Sequence, residues 1–167
     1  MSQLLVSDTS ILIDLERGNL LQATFKLPRP LAVPDVLYES ELRATNGELL
    51  IGLGLQVLSL DGAGAALAQA YGARGGGIST PDAFALALAK TGGHILASGD
   101  RALKKLAEEE AVECHGLFWI LDQLLEAKVL SSKALLTAVE RIASHPRCRL
   151  PKALIEIYIT KFGAAQL

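Results

Sequence analysis

The sequence predicts an α/β fold with a central, mainly parallel sheet covered by helices on both faces. Short, almost wholly apolar runs recur between segments of helical periodicity, and a strand buried on both faces reads as such a run. The segments between those runs are long enough to hold a helix, as a connection between parallel strands requires. At 167 residues, 50% of them hydrophobic, the chain can bury one sizeable core. A single domain over 1–167 is expected, of which 116–167 forms a helical C-terminal extension.

Residues 3–7 make the first expected strand. Residues 10–17 make the first helix, with Ile11, Leu12 and Leu15 on one face and Gly18-Asn19 at its end. Residues 31–33 read as a second strand, after which Pro34 introduces a helix over 35–44 closed by Asn46 and Gly47. A third strand falls at 55–60, an alanine-rich helix at 63–73 and a flexible glycine break at 75–77. The next helix has the clearest start: Ser79-Thr80-Pro81-Asp82 supplies a capping serine, a proline in the first turn and an acid three residues after the cap. Residues 95–98 form a fourth strand, followed by Gly99-Asp100 and a charged amphipathic helix at 101–110. A last strand is expected at 111–114 and terminal helices at 117–127, 132–143 and 151–162.

Lys+Arg of 16 against Asp+Glu of 18 leaves a net charge of −2, so no global positive field draws the protein onto nucleic acid and any phosphate contact must be local. Cys114 and Cys148 lie far apart with no CxxC or Cys/His cluster, which argues against a zinc site or a disulfide framework and for a reducing, cytoplasmic setting. The N-terminal stretch has no basic start before its apolar run, and no stretch approaches the roughly 18 apolar residues of a membrane span.

Four acids carry the chemistry. Asp8 and Asp100 each directly follow an apolar strand, and ligands of open α/β sheets bind at the carboxyl ends of strands where the strand order reverses. Glu39 and Asp82 lie on early helical turns whose N-termini can face the same edge. Glu41, two residues beyond Glu39, is the alternative second acid, since only one of the two can face a given side of a helix. Taken singly each acid has a plainer reading, as a helix cap for Asp8, Asp82 and Asp100 and as a surface glutamate for Glu39. Converging in one crevice, however, four carboxylates would repel one another unless a divalent cation neutralised them.

In that order SDTSILIDL, VPDVLYESEL and STPDAFALALAKTGGHILASGDRAL resemble the PIN-domain ribonucleases, which include the toxins of bacterial type II toxin–antitoxin pairs; the likeness covers about residues 3–115 and is most specific over 79–103. It implies a three-layer α/β/α fold and a catalytic, metal-holding set of Asp8, Glu39, Asp82 and Asp100, supported by the hydroxyls of Ser10 and Ser98. It further implies Mg²⁺ or Mn²⁺ as cofactor and hydrolysis of RNA, single-stranded or structured, to 5′-phosphate and 3′-hydroxyl ends. A small antitoxin and a homodimer are the implied protein partners. A catalytically silent PIN-fold module that binds protein or RNA is the alternative.

The remaining features carry less. His94, His115 and His145 lack ligand spacing, and the serines lack a nucleophile elbow. Arg101, Lys104 and Lys105 sit on the helix after Asp100 and can meet phosphates, but Glu108, Glu109 and Glu110 follow, and a solvated charged face accounts for them as well. Leu12, Leu15, Leu37 and Leu42, with Phe118, Leu121 and Leu125 in the tail, are the expected association surface.

Overall fold

The computed structural model describes residues 3–165; Met1, Ser2, Gln166 and Leu167 of the expected domain span lie outside the described residues. Five parallel strands form the sheet: β1 (Leu5–Ser7), β2 (Leu31–Pro34), β3 (Gln56–Leu58), β4 (Ile95–Ala97) and β5 (Cys114–His115), in the order β3-β2-β1-β4-β5. The fold is of the expected α/β/α class with a central parallel sheet. Every residue of β1, β2 and β4 is buried, as a parallel sheet covered on both faces demands. Leu5 pairs with Leu31 on one side and Ile95 on the other, so β1 is central and the strand order reverses between β1 and β4.

The helices are α1 (Thr9–Arg17), α2 (Leu21–Thr24), α3 (Asp35–Leu37), α4 (Gly47–Leu53), α5 (Gly62–Ala73), α6 (Thr80–Gly92), α7 (Arg101–Glu109), α8 (Leu117–Glu126), α9 (Ser132–Ser144) and α10 (Lys152–Ala164), with a π-helical turn at Tyr38–Leu42 after α3. The chain divides into two compact units, one comprising the residues up to Ile11 with Pro28–Gly116, the other Leu12–Leu27 with the chain from Leu117 onward.

In the first unit α6 is the helix that packs on β1, β2 and β4, and α5 lies along it. Its sequence explains why: Ala83, Ala85, Ala87 and Ala89 are small enough for close approach, while Leu86 and Leu88 fill the gaps. Val6, Leu96, Tyr71, Leu103, Leu106 and Val112 complete that core. In the second unit α2 packs on α8 and α9 on α10. Phe118 stacks on Tyr158 with centroids 4.5 Å apart, and Phe162 is fully buried beside them. The tail helices therefore share their unit with residues 12–27 rather than standing apart as an extension.

The association surface expected from the sequence is not a surface. Leu12, Leu15, Leu37, Leu42, Phe118 and Leu121 are all buried, because the two units need those faces for their own cores. Among the described residues the large apolar side chains left exposed are Ile13, Leu49, Ile51, Leu154 and Ile157.

Candidate active site

β1 ends at Ser7 beside the end of β4 at Ala97, and the Asp8 amide extends the ladder by donating to the Ala97 carbonyl at 3.0 Å. The next residue on each strand is then Asp8 and Ser98, held side by side on neighbouring strand ends at the point where the strand order reverses. Both are buried, and the Ser98 hydroxyl donates to Asp8 Oδ2 at 2.5 Å. Asp8 Oδ1 accepts the Ile11 amide at 2.9 Å and so caps α1. Ser98 Oγ in turn accepts the Asp100 amide at 3.0 Å, and Asp100 Oδ1 caps α7 through the Leu103 amide at 2.9 Å. Capping and site formation are thus one arrangement, since each cap fixes a carboxylate at the strand edge.

Asp82 arrives by the predicted route. Ser79 Oγ accepts the Asp82 amide at 3.2 Å, and Pro81 occupies the first turn of α6. The Asp82 carboxyl is half-buried and titrates above its ordinary value; burial is the main cause, with the charges of Asp100 and Glu41 adding to it. Asp8 responds more strongly, its carboxyl pushed up to about 6 mainly by burial, with the charges of Asp82 and Asp100 acting in the same direction and the Ser98 hydrogen bond opposing. Asp8, Asp82 and Asp100 feel one another, and Glu41 feels Asp82.

Of the two candidates for the second acid, Glu41 is the one turned toward the Asp8 segment and Asp82. Glu39 points outward on the π-helical turn and pairs with Arg43 at 2.8 Å. Glu41 instead accepts from the Thr9 hydroxyl, adjacent to Asp8 in the chain. Ser10 is exposed on the first turn of α1, so the hydroxyl that reaches an acid from this segment is that of Thr9. Neither Thr9 nor the choice of Glu41 had a signal in the sequence beyond the Glu-x-Glu spacing.

Among the described residues no three acidic, histidine or cysteine side chains are drawn close enough to ligate an ion together. The donor set nevertheless suits a hard divalent cation. It consists of carboxylate oxygens with no histidine or thiolate, and Mg²⁺ keeps several waters and engages one or two carboxylates directly. Cys114, half-buried on β5, has its thiol pushed up to about 11 by burial.

Asp8 and Asp100 stand at the carboxyl edge of the parallel sheet, at its topological switch point, where open α/β sheets bind their ligands. A family model described as a PIN domain matches residues 4–164, and the chain belongs to that family. PIN domains are in general nucleases and use divalent metal ions. No curated protein matches the chain. Among the described residues no helix is long and apolar enough to cross a membrane.

Proposed function

We propose that this protein is a metal-dependent endoribonuclease acting in the cytoplasm, with Asp8, Glu41, Asp82 and Asp100 as its acidic set. The observation that carries this is Asp8, buried at the β1/β4 edge and held by the Ser98 hydroxyl, with its carboxyl pushed up to about 6 mainly by burial and further by the charges of Asp82 and Asp100. Such a group is costly to ionise alone and is stabilised by a cation. A bound Mg²⁺ or Mn²⁺ would polarise the scissile phosphate and lower the pKa of an attacking water. On this reading Asp8 and Asp100 would hold the ion, Ser98 fixes the Asp8 carboxylate by its hydrogen bond, and Glu41 and Asp82 would orient water and ion. With no protein nucleophile, water attack that breaks the P–O3′ bond leaves 5′-phosphate and 3′-hydroxyl ends. A role as the toxin of a toxin–antitoxin pair, acting as a homodimer, is part of this proposal and rests on the sequence resemblance.

The second reading, a catalytically silent protein- or RNA-binding module, is favoured by the absence of three converged ligands among the described residues. Cleavage of a labelled single-stranded RNA separates the two. Activity is expected with Mg²⁺ or Mn²⁺, none with EDTA, and a loss of about a hundredfold or more in Asp8→Asn and Asp100→Asn. Glu41→Gln should be impaired in the same way and Glu39→Gln should not; the reverse order would return the second acid to Glu39. Activity that persists in chelator would remove the metal mechanism. Light scattering of the protein, alone and co-expressed with the neighbouring reading frame, tests the partners: a strict monomer that co-purifies with nothing would remove both.

A further inference from the structure

The substrate path is the piece that the acidic set does not supply. Along α7, Arg101, Lys104, Lys105 and Glu108 fall at positions i, i+3, i+4 and i+7 and share one face, while Leu103, Leu106 and Ala107 are buried on the other. That outer face borders a groove of about 470 Å³ lined by Arg101, Lys104, Lys105, Glu108, Val112 and Cys114. The volume is in the range of a small-molecule site, enough for one or two nucleotides.

Three features mark the groove as an anion path. Four basic side chains elsewhere are held in ion pairs, Arg17 with Asp14, Arg43 with Glu39, Arg74 with Glu110 and Lys161 with Asp122. Arg101, Lys104 and Lys105 are exposed and make no ion pair among the described residues. The groove is also next to Asp100 along the chain. Asp100 is the cap of α7, so Arg101 follows it directly and Lys104 stands about one turn, roughly 5.4 Å, further on. On its other wall Cys114 pairs with Leu96 on β4, the strand that leads to Ser98 and Asp100. Finally, the walls are of two kinds, cations on the rim and Val112 and Cys114 on the floor, and no aromatic ring is among them.

We propose that Arg101, Lys104 and Lys105 form a subsite for a backbone phosphate of single-stranded nucleic acid flanking the scissile one, with the sugar resting over Val112 and Cys114. The proposal rests on the nuclease reading for the word scissile. Without a stacking platform or a base-reading group the subsite tracks phosphate and not sequence. It gives a protein of net charge −2 the local positive path that it otherwise lacks. Glu108 closes the far end, where its charge repels the strand.

The test is binding of a fluorescent twelve-nucleotide oligo-U, and of its oligo-dT counterpart, measured by anisotropy in EDTA across a salt series. Each phosphate contact on a single strand contributes about 0.7 to the slope of log K against log salt. Lys104→Gln/Lys105→Gln should therefore flatten that slope by about 1.4 and Arg101→Gln by about 0.7. Glu108→Gln should tighten binding by about twofold, a gain that a damaged fold could not mimic. Lys26→Gln/Lys152→Gln removes the same charge from exposed positions outside α7 and should leave the slope as it is. Equal slopes in the wild type and the α7 variants would overturn the subsite, as would preferential binding of duplex over single strand. No cleavage with Mg²⁺ or Mn²⁺, while the α7 variants still flatten the slope, would instead overturn the nuclease reading and leave a nucleic-acid-binding groove.

Discussion

Asp8 is the residue at which burial, charge and chemistry meet. Its carboxyl is raised from 3.8 to about 6 by burial first and by Asp82 and Asp100 second, which corresponds to about 3 kcal/mol between the two protonation states. A raised acid contributes stability that is complete below the unfolded value and is lost as pH rises through the folded one. Ion-free wild-type protein should therefore lose this contribution between about pH 4 and pH 6, and Asp8→Asn, which cannot ionise, should not. The melting temperature of Asp8→Asn minus that of the wild type should climb as pH goes from 4 to 8, and Mg²⁺ should reverse the order at pH 8 by stabilising only the wild type. A difference that stays flat across that range would refute the raised carboxyl. The importance of Asp8 and Asp100 was legible in the sequence because each directly follows an apolar strand, a position that the parallel sheet turns into a place on the edge. The choice between Glu39 and Glu41 was not, because the chain passes through a π-helical turn at Tyr38–Leu42. Widening one turn changes which side chain reaches the Asp8 segment, and nothing in the pattern YESEL announces it. Such turns occur often at functional sites.

At the scale of elements, α6 is where sequence and structure agree most closely. Ser79 caps it, Pro81 sits in its first turn, and Gly93 ends it at φ 67°, a left-handed conformation that favours glycine. The cap also has a part in the site. Ser79→Ala should cost about 1 kcal/mol in urea denaturation through the lost Asp82 amide bond. It should also let the Asp82 carboxyl titrate higher still, because the Ser79 hydrogen bond is what holds it down against burial and Asp100. An unchanged Asp82 titration in the Ala variant would show that the cap and the acid are independent. Other elements were hidden for physical reasons. Residues 46–54 look like a glycine-rich break, yet Gly47–Leu53 is helical. The missing side chain is what permits it, since a Cβ on Gly47 would lie 2.8 Å from the Tyr38 ring and 2.9 Å from the Leu42 carbonyl. Glycine here marks close packing and not a turn. The last strand lies at Cys114–His115 and not at 111–114 because Ala111 takes φ 57° and turns the chain before pairing begins.

At the scale of the whole molecule, the question is whether the tail is an appendage. Reading 116–167 as an extension treats the chain before it as complete, and the terminal helices taken alone give no reason to doubt that. The structure groups Leu12–Leu27 with the tail instead. Within that unit α2 packs on α8, and a Cβ on Gly18 would meet the Ile142 side chain at 2.8 Å, so this segment is fitted against the tail helices. Leu12, Leu15, Leu20 and Leu21 are all buried. Fully burying a leucine is worth about 1.5–3 kcal/mol, so even half of that for four leucines is about 3–6 kcal/mol, set against a typical total stability of about 5–15 kcal/mol. A chain ending after Gly116 should therefore be insoluble, or should bind a hydrophobic dye and lose its cooperative melt, although it keeps Asp8, Glu41, Asp82, Asp100 and the α7 groove. The match of the family model through residue 164 accords with that dependence. A soluble fragment with a sharp thermal transition near that of the intact protein would show that residues 12–27 do not need the tail, and that the nuclease core is complete without it.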